Sequence, residues 1–75
     1  MAKELIYRQV GLRIEQMRSA LGWTQDELAK KVGGLGRTSI TNIEAGRQVI
    51  TLHELERFAS AFGCNPKHIL RGIWF

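Results

Sequence analysis

The 75-residue sequence predicts an all-α fold of five helices without a β-sheet. Apolar residues recur at spacings of three and four, glycines divide the chain at short intervals, and T-x-x-E-L, typical of a helix start, occurs twice. The 44% hydrophobic content suffices for one compact core. We therefore expect a single domain over residues 1–75, with an N-terminal extension of the first helix (1–9), a core (10–72) and an apolar tail (73–75).

The first helix is predicted from an apolar stripe along one face. Its members are Ile6, Val10, Ile14, Met17 and Leu21. Gly22 follows the stripe at the position where a left-handed residue commonly ends a helix. The residues before Val10 are expected to lengthen this helix.

The second helix begins at a capping box, in which the Thr24 hydroxyl and the Glu27 carboxylate each bond the other's backbone N–H. Gly33 and Gly34 are expected to end it. Its inward-facing side chains are predicted to be Leu28, Ala29 and Val32.

The third helix is expected to begin near Gly36 or Arg37 and to end at Gly46, with Ile40 and Ile43 facing inward. The second and third helices are both short, and a glycine-containing turn joins them. That arrangement allows a second helix to enter the major groove of DNA.

A second capping box, Thr51 with Glu54, opens the fourth helix, and Gly63 closes it. Asn65 and Pro66 have the pattern of an N-cap and a first-turn proline, so a short fifth helix should reach about residue 71. The buried stripe of the fourth helix is predicted to comprise Leu52, Leu55, Phe58, Ala59 and Phe62.

Eleven basic and seven acidic residues give a formal net charge of +4, which favours a polyanionic partner. No apolar run approaches the about 18 residues of a membrane-spanning helix, and the N-terminus leads into no signal-like apolar stretch. The single cysteine, Cys64, has no cysteine neighbours with which to build a metal site, and a buried, inert thiol is expected. We therefore expect a cytoplasmic protein without a membrane segment, metal or cofactor.

The segment from Thr24 to Arg47 reads TQDELAKKVGGLGRTSITNIEAGR. Its T-Q-x-E-L-A and I-T-N-I-E-x-G-R elements resemble the lambda-repressor/Cro-type (XRE-type) helix-turn-helix family. The resemblance continues through L-E-R-F-A-S-A-F-G and N-P-x-x-I-L-x-G, and covers residues 10–72. It implies a five-helix lambda-repressor-like domain whose helices 2 and 3 bind DNA. One departure is an apparent extra residue between Gly33 and Ile40, with Gly34 or its neighbour inserted, which predicts a looser turn.

Helical geometry separately indicates which third-helix residues face DNA. If Ile40 and Ile43 point inward, the exposed side and N-terminal tip carry Arg37, Thr38, Thr41 and Asn42. Arginine suits the guanine edge, asparagine pairs with adenine, and threonine offers a hydroxyl or methyl contact. The resemblance supports base contacts by Arg37, Thr38 and Asn42, although Arg37 binding a phosphate instead stays open.

Phosphate contacts are expected at Thr24 and Gln25, because free N–H groups and a positive dipole end favour an anion at a helix N-terminus. Ser39 and Arg47 are further candidates, and the resemblance supports Gln25 and Arg47 in particular. The resemblance also implies a buried structural ion pair between Arg18 and Glu44.

No catalytic or metal site is predicted, because no nucleophile–base pair, metal cluster or phosphate loop is present. His53 and His68 lack a second ligand at i+3 or i+4 and are expected on exposed helix faces.

Candidate homodimer contacts lie in the apolar C-terminal segment. They are Ile69, Leu70, Ile73, Trp74 and Phe75. The alternative is that this tail folds back onto the first helix, beside Leu5, Ile6 or Tyr7.

The function predicted is a sequence-specific transcriptional regulator that binds double-stranded DNA, a near-palindromic operator, as a homodimer. The resemblance implies a bacterial or phage protein and includes Cro-like repressors, restriction–modification controllers and antitoxins. The alternative is therefore an antitoxin, or another interaction module, that binds a partner protein such as a toxin and DNA secondarily.

Overall fold

The computed structural model describes residues 3–73 and places five helices, without a strand, in that range. They are α1 (Lys3–Ala20), α2 (Gln25–Val32), α3 (Arg37–Glu44), α4 (Leu52–Phe62) and α5 (Pro66–Leu70). The prediction of an all-α, five-helix fold is confirmed. None of the helices in this range is long and apolar enough to cross a membrane.

Both predicted capping boxes form. The Thr24 hydroxyl accepts the Glu27 backbone N–H at 3.0 Å, and the Glu27 carboxylate accepts the Thr24 N–H at 2.7 Å. Thr51 and Glu54 repeat the arrangement at 3.0 and 2.9 Å. Each box closes within three residues, so the starts of α2 and α4 require no partner from elsewhere in the chain.

The end of α1 lies where the glycine pattern predicts it. Gly22 has a φ of +74°, and the Trp23 N–H turns back to bond the Arg18 carbonyl at 3.1 Å. The placement of Leu21 in the apolar stripe is wrong, because its side chain is 50% exposed. The helix has already ended at Ala20, so Leu21 no longer follows the helical period.

The core combines side chains from all five helices. Its largest fully buried members are Ile14, Leu28, Ile40, Ile43, Phe58 and Ile69. The inward faces predicted for α2 and α3 are therefore confirmed. Since α1 and α2 both pack against α3, the core itself orients that helix.

Two predictions of burial and exposure are corrected by the core. Leu52 is 85% exposed, because it lies in the first turn of α4 and lines an open groove with Ile50 and Leu70. Ile69 is fully buried inside the chain's own core, so its assignment as a dimer contact is wrong. Ile6 and Met17, at the edge of the α1 stripe, are partly buried against the core.

The C-terminal segment is attached to α1 by Arg13. Its Nη1 donates to the backbone carbonyls of Ile69 at 3.1 Å and His68 at 3.3 Å. Leu70 and Ile73 are half-buried. The remaining tail residues of the dimer prediction, Trp74 and Phe75, lie outside the described residues.

Candidate nucleic-acid interface

The turn between α2 and α3 is bonded to α4. Gly33 and Gly34 have φ values of +75° and +76°, a region that favours glycine. The Arg57 guanidinium donates from Nη1 to the Gly33 carbonyl at 3.1 Å, and a β-carbon on Gly34 would overlap that nitrogen. The turn that the extra residue predicts to be loose is thus held by Arg57, a role that sequence reasoning missed.

Helix α3 and the turn after it lie so close to α1 that two glycines at the contact leave no room for a β-carbon. A β-carbon on Gly11 would overlap the Ile43 carbonyl oxygen and lie 2.9 Å from the Glu44 carbonyl oxygen. At the next turn, Gly46 has a φ of +76°, and its β-carbon would lie 2.8 Å from Arg8 Cα. These two contacts fix the C-terminal end of α3. The available sequence signal was a glycine inside an amphipathic helix, which often marks a close approach.

The ion pair implied by the family resemblance is present in the structure. Arg18 Nε lies 2.6 Å from Glu44 Oε2, and Arg18 Nη2 lies 3.1 Å from Oε1. The third nitrogen, Nη1, donates to the Trp23 carbonyl at 2.7 Å. The hydrogen bond to Glu44 raises the pKa of Arg18, which burial opposes. Because the Glu44 side chain is only 3% exposed, the pairing compensates a carboxylate removed from water.

Gln25 links α2 to α3 through both ends of its amide. Its Nε2 donates to Glu44 Oε1 at 2.9 Å, and its Oε1 lies 2.8 Å from the Thr41 hydroxyl. That hydroxyl also lies 3.0 Å from the Arg37 carbonyl. Two residues expected to face DNA, Gln25 and Thr41, therefore bond to each other, and they brace the angle between the two helices.

The outward face of α3 carries the remaining predicted base-contacting residues. Arg37 and Thr38 are exposed, whereas Ser39 and Asn42 are half-buried. Thr38 and Asn42 lie four residues apart and so share one helix face, opposite Ile40 and its buried neighbours. This face is polar, and it is most exposed at the N-terminal end of α3.

A shallow depression joins the tip of α3 to the start of α2. Thr24, Gln25 and Arg37 line it together with Arg18 and Asp26. The Thr24 hydroxyl oxygen already accepts a hydrogen bond from the Glu27 N–H. At the other end of α3, exposed Arg47 donates from Nη2 to Asn42 Oδ1 at 3.3 Å. The predicted phosphate contacts therefore flank the outward face of α3 at both ends.

The two histidines and the cysteine do not belong to this surface. His53 and His68 are exposed, as predicted, while Cys64 is half-buried rather than buried. No group of three histidine, cysteine or acidic residues with metal-binding geometry occurs within residues 3–73.

Comparison with known proteins assigns this arrangement of helices to a family. Residues 14–69 match the helix-turn-helix family. The chain belongs to that family. The resemblance to XRE-type proteins is thereby confirmed, and the matched helix-turn-helix residues include α2, α3 and the turn between them. No curated protein matches the sequence.

Solved structures of regulators have the same fold as this helix-turn-helix protein. The restriction–modification controller C.AhdI of Aeromonas hydrophila is 27% identical with a TM-score of 0.79, over 84% of this chain and 94% of that one. A hypothetical transcription factor of Neisseria, NHTF, is 30% identical with a TM-score of 0.80, over 93% and 80%. The P22 c2 repressor, in complex with a synthetic operator, is 28% identical with a TM-score of 0.74, over 84% and 94%.

Proposed function

We propose that this protein is a sequence-specific, DNA-binding transcriptional regulator that binds a near-palindromic operator as a homodimer. The observation that carries the proposal is the outward polar face of α3, with Arg37 at its tip and Thr38 and Asn42 along it. Membership of the helix-turn-helix family supports it, as does the likeness to the operator-bound P22 c2 repressor.

In this proposal, α3 enters the major groove and its side chains contact base edges. Arg37 donates two hydrogen bonds to a guanine, and Thr38 contacts a neighbouring base through its hydroxyl or methyl group. Asn42 contacts a third base one turn along the helix. Thr41 contributes a methyl contact, because its hydroxyl is already bonded to Gln25. Discrimination by each bidentate contact is about 1–3 kcal/mol.

Phosphates bind on either side of α3. The first turn of α2, at Thr24 and Gln25, directs backbone N–H groups and the positive end of the helix dipole toward one strand. Ser39 and Arg47 contact the backbone at the other side. These contacts set the register of α3 in the groove without reading sequence.

The homodimer uses the groove lined by Ile50, Leu52 and Leu70. This groove has a volume of about 300 Å³, and Leu52 projects beside it with 85% of its surface exposed. A projecting leucine next to an apolar groove is self-complementary, as a two-fold interface requires. Ile73 lies elsewhere, because it lines a separate groove with Leu12 and Arg13 of α1.

A second surface, with two exposed leucines on α1, is less suited to a symmetric contact. Leu5 and Leu12 lie on α1 and are 46% and 51% exposed. Arg8 lines one groove beside them and Arg13 the next. Pairing this face across a two-fold axis would bring like charges together, which is unfavourable.

Selection of bound sites from random double-stranded DNA tests the function. We expect an enriched sequence with two inverted half-sites whose centres lie about 34 Å apart along the duplex. Enrichment of a single, unrepeated half-site would contradict dimeric binding, and the absence of any enriched sequence would contradict sequence-specific recognition.

Sedimentation of Leu52→Asp and of its matched control Leu21→Asp tests the dimer surface. Leu21 is also exposed, with 50% of its surface accessible, but lies in the turn after α1. We expect the Leu52 substitution alone to shift the protein from dimer to monomer. An unchanged mass for Leu52→Asp would contradict this surface.

A further inference from the structure

Arg47 is attached to Asn42 through both its main chain and its side chain. The Arg47 N–H donates to the Asn42 carbonyl at 2.9 Å, closing the left-handed turn at Gly46 that ends α3. The Arg47 guanidinium then reaches the Asn42 side chain, with Nη2 and Nε lying 3.3 and 3.4 Å from Oδ1. The position of Arg47 thus follows from the way in which α3 ends.

The turn that carries Arg47 is itself fixed by α1. Because a β-carbon on Gly46 would lie 2.8 Å from Arg8 Cα, the main chain at this point rests directly on α1. Arg47 is the next residue, so its backbone is held at a constant place relative to Asn42. The exposed guanidinium is therefore presented to Asn42 by a turn that packs against α1.

This contact determines which end of the Asn42 amide faces the groove. A guanidinium donates hydrogen bonds and accepts none, so the oxygen of the amide must point toward Arg47. A carbonyl oxygen has two lone pairs, and two N–H groups of Arg47 are directed at this one. The group that Asn42 has left to offer a base is its NH₂, a pure donor.

Base edges in the major groove differ in the hydrogen-bond donors and acceptors that they present to such a group. The bidentate asparagine–adenine contact needs the amide oxygen to accept from N6 and the NH₂ to donate to N7. Guanine presents two acceptors, O6 and N7, and thymine presents the O4 acceptor. At adenine the NH₂ still reaches the N7 acceptor, but the neighbouring N6 donor is left without an acceptor. An asparagine whose oxygen is already occupied is therefore matched to guanine or thymine.

Resting on the proposed function, we infer that Arg47 is a positioning residue that holds Asn42 as a hydrogen-bond donor, so that Asn42 selects guanine or thymine over adenine. Arg47 thereby affects the choice of base at a position that it need not touch. This assignment replaces the adenine preference expected from the residue type of Asn42 alone.

The experiment is selection of bound sites from random DNA with the wild type and three variants, each checked for helicity beforehand. Arg47→Met keeps the length of the side chain but removes its donors. Asn42→Asp keeps the shape of the amide but can only accept. Arg71→Met, at an exposed arginine next to α5, removes one positive charge elsewhere and serves as the matched control.

We expect the wild type to enrich guanine or thymine at one position of each half-site. Arg47→Met frees the amide oxygen, so adenine should rise at that same position by about 10-fold, which corresponds to one bidentate contact. Asn42→Asp should move the preference to cytosine, whose N4 amino group is a donor. Arg71→Met should leave the base preference unchanged.

Two results would overturn the inference. One is wild-type enrichment of adenine at the position that Asn42→Asp alters. The other is an Arg47→Met variant that binds all sequences more weakly with the same base preferences, which would make Arg47 a phosphate contact only. If Arg47→Met does not fold, the inference is tested by the change in base preference from wild type to Asn42→Asp. A change from guanine or thymine to cytosine supports it, and a wild-type preference for adenine at that position contradicts it. A wild type that enriches no sequence would instead overturn the proposed function, and this inference with it.

Discussion

Gly11 on α1 lies against the main-chain carbonyl of Ile43 on α3 so closely that a β-carbon at residue 11 would overlap the carbonyl oxygen. Since Ile43 is fully buried and α3 carries the proposed base contacts, this approach sets the depth at which α3 rests on the rest of the protein. A glycine on α1 thereby affects how the proposed DNA-contacting surface of α3 is presented.

We expect Gly11→Ala to destabilise the fold by about 1–3 kcal/mol, the usual range for overpacking a core. The loss should appear although alanine favours a helix interior over glycine by roughly 1 kcal/mol. Urea denaturation measures it. The control is Gly36→Ala, where the added carbon meets open space and φ is −94°. A Gly11→Ala variant as stable as the wild type would contradict the close approach.

The Arg18–Glu44 pair should show strong coupling in a double-mutant cycle. Arg18→Met leaves the Glu44 carboxylate buried without its cation, which typically costs about 3–5 kcal/mol. Adding Glu44→Leu removes the orphaned charge, so the double variant should recover much of that loss. The free energies of unfolding are obtained by denaturation. Equal, additive losses for the two substitutions would contradict a buried, mutually dependent pair.

Acid should weaken the start of α2 through Glu27. Hydrogen bonds from the Thr24 backbone and then from its side chain lower the pKa of Glu27 below its ordinary value. A folded-state pKa below the unfolded one means that the stabilisation is present above the unfolded pKa and is lost as pH falls through the folded pKa.

The Glu27→Gln variant checks this dependence, because its amide cannot titrate but has the same shape. The wild type should be the more stable protein at neutral pH, and the difference should vanish below the carboxylate range. Thermal unfolding at a series of pH values measures it. A stability difference that is the same at every pH would exclude the ionised capping box as its source.

A side chain at Gly34 should destabilise the turn between α2 and α3. Its φ of +76° disfavours L-residues, so Gly34→Ala should destabilise the protein by about 1–2 kcal/mol. Part of the effect comes from displacement of Arg57, whose guanidinium occupies the space of the new methyl group. Denaturation beside the Gly36→Ala control measures the loss, and equal effects of both substitutions would show that the turn is not specifically shaped.

Salt titration distinguishes the two roles open to Arg37. Affinity for operator DNA should fall steeply with salt, because each neutralised phosphate releases counterions. If Arg37 contacts a base, Arg37→Met should relax selection at one operator position and leave the salt slope nearly unchanged. A slope smaller by about 1, with weaker binding to every sequence, would instead make Arg37 a phosphate contact.

The helix boundaries were predictable because the signals that set them are local. The Thr24–Glu27 and Thr51–Glu54 boxes and the glycine after α1 each act within a few residues, so their outcome does not depend on the rest of the fold. The inward residues of α2 and α3 followed from the same periodicity. The apolar spacing wrongly predicted that Leu52 and Leu21 are buried, since burial at a helix end depends on which neighbour covers that end.

The contacts between helices could not be read from spacing. Gln25 bonds residues of α3, Arg57 bonds the turn before it, and Gly11 meets a carbonyl more than thirty residues away along the chain. Each depends on how two elements pack, which residue types do not encode singly. The local sequence was enough to define the helices and their outward polar residues. The packing of those helices determined which polar groups are bonded within the protein and which are left for DNA, because a donor or acceptor already paired inside the fold has less to offer a base.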